Sequence, residues 1–263
     1  MKLTRSFFLI VLFFLPSLAC GSFTTNSVIG SGEIVTQTID VSGFQRVTLE
    51  GFGDVFIEQG QTESLSVETD DNILPLLDIR VRGSELILGT KNGVDVNPSK
   101  SITYNLTVQD LDNITLAGSG TFHTGSLKSG NFGVKVSGSG DVNISGLDAE
   151  QLSIELSGSG NILVESADLK TVDTSLQGSG DIKLEGQADT QKVRVGGSGN
   201  YLAGDLQTNA ADVNVPGSAD VTVWVKDELN ITVSGSGDIR YYGNPAIDQT
   251  ISGSGNITSL GEK

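Results

Sequence analysis

Residues 134–164 read VKVSGSGDVNISGLDAEQLSIELSGSGNILV, and the fold is legible in them. Gly-Ser-Gly triplets begin at 138 and 158, and Asp141 or Asn161 follows each one directly. Apolar residues alternate on both flanks: Val134, Val136, Val142 and Ile144, then Ile154, Leu156, Ile162 and Val164. Period-two alternation rich in β-branched residues marks strands with one buried face, and a helical stripe at period 3.6 does not fit it. Each unit therefore reads as strand, tight glycine corner, strand and a looser turn. Glycine permits positive φ at such a corner, where a Cβ would clash. Asp and Asn tolerate the left-handed region and hydrogen-bond neighbouring backbone.

The unit recurs on both sides of this stretch. Triplets also begin at 118, 178, 197, 235 and 253, and Gly217-Ser218-Ala219 fills the remaining gap. The steps run between 18 and 20 residues. One copy cannot bury its few inward side chains, but stacked copies share a core and join by parallel ladders. The expectation is an all-β, right-handed parallel β-solenoid with coils of about 20 residues over 116–259. Residues 33–115 form a less regular N-terminal β region. Gly51-Phe52-Gly53-Asp54 looks like an outlying copy of the corner, and Asp71–Leu77 reads as a short helical turn limited by Pro75. This region is either a set of variant coils or a β-sandwich cap. Residues 260–263 read as a tail.

Composition narrows the function. Gly accounts for 34 of the 263 residues, about twice the usual share, while Pro numbers only 5, against a collagen-like or Pro-rich chain. One Cys excludes a disulfide scaffold and a multi-thiolate metal site, and one His weighs against zinc chemistry and a Ser-His-Asp triad. A net charge of −16 argues against nucleic acid as a partner, since phosphate contacts need a basic surface.

The first residues read as an address. Lys2 and Arg5 precede the apolar run Phe7–Leu15, which is too short to span a bilayer and suits a signal peptide over 1–19. Ser17-Leu18-Ala19 ends in small residues just before Cys20, the only Cys of the chain. Lipoprotein processing at that bond, with lipid on the Cys20 thiol, is the expectation, although Pro16 and Ser17 depart from the usual lipobox. Plain secretion after Ala19 is the alternative. Loss of 1–19 removes two cations and no acid, so the net charge moves from −16 to −18. Residues 20–32 are small and polar and read as a tether.

Phe44-Gln45-Arg46-Val47, Gly53-Asp54-Val55 running to Gln59-Gly60, Asp70-Asp71-Asn72 with Leu74-Pro75, the Ser-Gly-Ser-Gly series and Tyr241-Tyr242-Gly243-Asn244-Pro245 follow one another in order. In these marks the chain resembles the autotransporter adhesin head, or GIN-domain, family of bacterial proteins, over roughly 40–259. The resemblance implies an extracellular all-β, solenoid-like domain, often carried on lipoproteins, whose adhesin role is itself a conjecture. No translocator barrel follows residue 263, so lipid anchoring rather than autotransport is expected.

Three features compete as sites. The Asp/Asn column after the corners has oxygen ligands for Ca²⁺, but its order Asp141, Asn161, Asp181, Asn200 alternates charge with amide, as a turn ladder would. No metal site is assigned. Trp224 and Tyr242 each lie four residues after a corner Asp, with Val223 and Tyr241 directed inward. Outward stacked aromatics hold a sugar ring or an apolar side chain, and Arg240 adds a cation. The competing reading is that they cover the C-terminal end. His123 has no evident nucleophile or metal partner, so no catalytic residue and no cofactor is assigned. The sequence thus points to a non-catalytic module, anchored to the membrane through Cys20 and exposed on a bacterial envelope, with a cell-surface protein or glycan as partner. A polysaccharide-active β-helix enzyme and a ligand-free spacer or sensor are the alternatives. Lys135, Lys170, Lys183, Lys192, Arg194, Lys226 and Arg240 fall at scattered repeat positions, which weakens the enzyme reading.

Overall fold

The computed structural model describes residues 27–263. Its body is a parallel β-solenoid with one long strand per coil: Thr121–Val136, Asp141–Leu156, Ile162–Leu176, Ile182–Val195, Tyr201–Val215 and Val221–Val233. Stacking follows the sequence repeat, so Phe122 pairs with Val142 and Val142 with Ile162. Equivalent apolar residues lie over one another, as in the stack Leu116, Val136, Leu156 and Leu176. All four are at most 1% exposed. Burying one such side chain favours folding by about 1.5–3 kcal/mol, and the stack repeats that gain coil by coil.

Each coil has three sides. Along Asp141–Leu156 the alternation slips twice: Gly146 and Leu147 are both buried, and Glu150 and Gln151 are both exposed. The chain bends at these slips and at the triplet. The looser turn read from the sequence is in fact a short third side, where Leu127, Leu147 and Ala167 stack in register. Its inward positions are few and include Ala149 and Ala167, which carry little apolar signal.

The corner glycines serve a different purpose from the one expected. None in the triplets has positive φ. Their lack of a Cβ is what matters, because the corners stack with unusual closeness. A Cβ on Gly138 would lie 1.8 Å from the Gly118 oxygen, and one on Gly158 would lie 1.8 Å from the Gly138 oxygen. The corners are also joined by backbone, the Ser159 N–H donating to the Gly138 oxygen at 3.0 Å.

The N-terminal region combines variant coils with an antiparallel cap that belongs to the same sheet. Gly51-Phe52-Gly53 is the corner of a first coil, with the Ser119 N–H donating to the Gly51 oxygen at 3.0 Å. Strands Arg46–Leu49 and Asp54–Gln59 lie parallel beneath Asn113–Leu116 and Thr121–Val136. Beneath those lie Glu85–Thr90 and Thr103–Val108. Antiparallel strands then close the end: Leu77–Arg82 on Glu85–Thr90, Ser64–Asp70 on Thr103–Val108, and Ile34–Ile39 on Ser64–Asp70. The expected helical turn is a 3-10 turn at Leu74–Leu76, with Pro75 in its first turn. The sheet runs unbroken past residues 115 and 116.

Residues 28–33 are strapped to this cap. Val28–Ile29 pairs with Val96–Asn97. Asn72 donates to the Ile29 oxygen at 2.8 Å and accepts from the Ser31 N–H at 2.9 Å. The fully buried Asp70 carboxylate accepts from the Gly32 N–H at 2.7 Å and the Ser99 hydroxyl at 2.6 Å. At the other end, Ala246–Ile251 lies parallel to Val221–Val233, and all six of its residues are exposed.

Candidate functional site

The Asp/Asn column is a ladder of hydrogen bonds that ties corner to corner. The Asp141 carboxylate accepts from the Asn161 N–H at 2.8 Å and from its side-chain amide at 3.0 Å. The Asn161 side-chain oxygen accepts from the Asp181 N–H at 3.0 Å, and Asp181 then accepts from both Asn200 donors. The amide between two carboxylates supplies donors and separates like charges. The order breaks at Asp220 and Asp238, and there Arg240 donates to Asp220 at 3.1 Å. The Asn256 backbone N–H, with its side-chain amide, holds the Asp238 carboxyl below its usual value. One oxygen of each of the carboxylates Asp141, Asp181 and Asp238 is occupied by these hydrogen bonds. Among the described residues no group of three or more His, Cys, Asp or Glu side chains is placed to hold a metal ion.

The third side carries a groove of about 570 Å³ that runs along the solenoid. Two outward columns wall it. One passes in strand register through Lys128, Asp148, Asp168, Gln187 and Gln207. The other holds Glu150, Lys170, Asp189, Asn209 and Lys226. Between them lie the buried apolar side chains of Ala149, Leu169 and Ala188, which form the groove floor. Lys128 donates to Asp148 at 2.7 Å, Lys170 to Glu150 at 2.6 Å, and Gln187 to Asp168 at 3.0 Å. Each ammonium is favoured by its carboxylate, so the Lys128 and Lys170 groups are held above the usual lysine value. Lys170 and Lys226, expected among scattered cations, both line this groove.

The first column does not stop at Gln207. Its register partner in the next coil is Trp224, and the partner of Trp224 is Tyr242. The expected outward aromatic pair thus continues the groove wall. Ahead of it the register shifts between Ala203 and Gln207. A buried network fixes the new register: Tyr201 donates to Gln191 at 3.1 Å, Gln191 to Thr208 at 2.9 Å, and Thr208 to the Trp224 carbonyl at 2.9 Å. Burial pushes the Tyr201 phenol well up, so it stays a neutral donor.

The cation over the aromatics is Lys263 rather than Arg240. Its ammonium lies 5.4 Å from the Trp224 ring centroid and 4.9 Å from that of Tyr242. It donates to the Gly204 carbonyl at 2.7 Å and to the Asp205 carboxylate. That contact lowers the Asp205 carboxyl below its usual value. Arg240 is drawn away by Asp220, whose carboxylate is nearer to full charge pairing than a ring face is. Residues 260–263 are thus folded back, with the Leu260 N–H donating to the Tyr241 oxygen at 2.8 Å.

His123 lies within the strand Thr121–Val136, and its ring stacks on Phe56 at 4.9 Å. Cys20 and the leader over 1–19 lie outside the described residues. The sequence reading missed the groove and Lys263. The groove was signalled by a polar residue six or seven places after each corner Asp or Asn, but only with the third side in view.

A family model described as "Putative auto-transporter adhesin, head GIN domain" matches residues 43–167 and 154–245. Several solved structures share the fold. A protein from Parabacteroides distasonis described as a "putative lipid binding protein" is 29% identical, with a TM-score of 0.85 over 89% of this chain and 99% of that one. A "putative adhesin" from Bacteroides fragilis is 26% identical, with a TM-score of 0.69 over 89% of this chain and 100% of that one. Another "putative adhesin" from Parabacteroides distasonis is 23% identical, with a TM-score of 0.84 over 89% of this chain and 100% of that one, and shares the fold. No curated protein matches.

Proposed function

This chain belongs to the auto-transporter adhesin head, or GIN-domain, family, and from that premise we propose that it is a non-catalytic binding module held on a bacterial envelope by lipid at Cys20. The observation that carries the reading is the groove, whose first wall keeps coil register to Gln207 and runs on, past a register shift, to Trp224 and Tyr242. A surface built this way suits adhesion to a repetitive or extended partner. Lys128 and Lys170 are each held by an acid of the same groove, which weakens the case for a clamp on an anionic substrate. The charged and amide lining likewise favours a polar ligand over an acyl chain.

The fold supports presentation away from a membrane. Residues 28–33 join the domain at its capped end, while Tyr242 lies in the last coils. From Thr103–Val108 at the capped end the ladder takes eight steps to Ile239–Tyr242, which at about 4.8 Å each is about 38 Å. An anchor before residue 27 would thus hold the aromatic end outward.

Membrane partition and intact mass of the wild type and of Cys20→Ser test the anchor. The wild type is expected to carry lipid and sediment with membranes, and the variant to be soluble. Surface exposure and adherence of cells displaying each form test the role. A wild type that is soluble and begins at Cys20 without lipid refutes the anchor. A displayed wild type that confers no adherence refutes the adhesin reading.

A further inference from the structure

We infer that the groove takes an extended, uncharged oligosaccharide laid along the solenoid axis, with one sugar ring on Trp224 and Tyr242. The inference rests on the reading of this face as the binding face and names its ligand class. Four observations converge on it.

The first is periodicity. The walls repeat once per coil, at about 4.8 Å, and a pyranose in an extended chain advances by a similar distance. Successive sugars thus meet successive coils at a matching spacing, each facing polar side chains. The second is chemistry. Asp168, Gln187, Gln207 and Asn209 line the groove with amides and a carboxylate, planar groups that donate to and accept from neighbouring hydroxyls. The third is the aromatic pair that continues the wall. Its rings already accept the Lys263 ammonium, and an aromatic face also suits the apolar C–H face of a sugar. Lys263 then acts as a displaceable cover. The fourth is charge. Asp148, Glu150, Asp168 and Asp189 outnumber Lys128, Lys170 and Lys226 in the lining, and two of those ammonium groups are already paired, so a uronate or sulfated chain meets no net positive charge.

An extended peptide fits less well. Strand-like peptide binding needs a free sheet edge, and backbone pairing in the coils beneath this groove is taken up between neighbours.

Trp224 is the only Trp of the chain, so tryptophan emission reports on this site alone. The mature protein is titrated with neutral hexasaccharides of β-1,4-linked glucose, mannose and N-acetylglucosamine and of α-1,4-linked glucose. A galacturonate hexamer is the anionic counterpart, and calorimetry runs in parallel. At least one neutral hexamer is expected to give a saturable change in Trp224 emission, and its disaccharide to bind at least about tenfold more weakly. Gln187→Ala with Gln207→Ala should weaken binding about tenfold through lost hydrogen bonds. Lys263→Ala should tighten it severalfold by clearing the rings. Circular dichroism confirms that each variant is folded. Silence from all four neutral hexamers at millimolar concentration overturns the inference, as does tighter binding of the galacturonate hexamer. Binding indifferent to the Gln variants overturns it too. If the double Gln variant keeps cellular adherence while the wild type binds no hexamer, the glycan inference fails and the adhesin reading stands.

Discussion

Gly158→Ala should be among the most damaging small substitutions in the protein. The added Cβ would lie 1.8 Å from the Gly138 oxygen, with the Gly138 carbonyl carbon at 2.8 Å. Both are backbone atoms, so no side chain can swing away. Reaching even a 3.0 Å contact requires the two corners to part by about 1.2 Å. That opening strains the Ser159 N–H to Gly138 oxygen bond, now 3.0 Å, and the neighbouring Ser157 N–H to Val136 oxygen bond, now 2.9 Å. Two weakened backbone bonds at about 1 kcal/mol each, with an overpacking cost of about 1–3 kcal/mol, give a loss of about 3–5 kcal/mol. Gly196→Ala is the control, since nothing lies within 4 Å of its Cβ and its φ is not positive. Gly253→Ala adds a gradient. Its Cβ also meets a carbonyl at 1.8 Å, but its coil is near the open end and can move, so its cost should be smaller. Urea unfolding followed by circular dichroism, with amide exchange at 136–160, measures all three. Repeat proteins need not unfold in one step, so the local exchange decides where the transitions separate. Equal stability of Gly158→Ala and Gly196→Ala would refute the close stacking of the corners.

Three further outcomes are expected. Asp181→Ala removes the acceptor for both Asn200 donors, so it should cost about 1–2 kcal/mol, while Asp181→Asn, which keeps an oxygen for the backbone N–H, should cost less; thermal unfolding of the pair separates them, and equal losses would count against the ladder. Leu156→Ala, at a site 1% exposed within the central stack, should cost about 2–5 kcal/mol, and a loss below about 1 kcal/mol in chemical denaturation would show that the core is not packed there. The Ser99 hydroxyl and the Gly32 and Ser99 N–H groups hold the Asp70 carboxyl below its usual value, so its contribution is complete above the unfolded value and is lost as pH falls through the folded one. Protection of the 28–33 amides, measured against their intrinsic exchange at each pH, should therefore be high at neutral pH and fall in acid; in Asp70→Ala it should be low throughout, and protection in that variant equal to the wild type would disprove the strap.

Much of the solenoid was legible because its contacts recur at fixed sequence offsets. Val142 and Ile162 stack because they hold the same place in successive repeats, so the repeat length is also the contact map. The outward direction of Trp224 and Tyr242 was legible for the same reason, since alternation is enforced by the pleat. The antiparallel cap was not. Ile34–Ile39 pairs with Ser64–Asp70, and Ser64–Asp70 with Thr103–Val108, at separations that no repeat announces. Asp70-Asp71-Asn72 could be recognised as a motif, but its task of fastening Ser31 and Gly32 depends on chain brought in from 40 residues away.

What the sequence by itself determined is the architecture: glycine corners, alternating strands and an Asp/Asn ladder, each a local pattern multiplied by stacking. What only the tertiary structure decided is the face that the coils present. Gln207 meets Trp224 across a register shift, a place where counting residues fails and packing around Tyr201, Gln191 and Thr208 sets the alignment. Lys263 reaches Trp224 from the far end of the chain, and Asp220 takes Arg240 away from Tyr242. Those choices come from competition among side chains for partners in space. A repeat fixes which positions compete, while geometry alone selects the pairs that form.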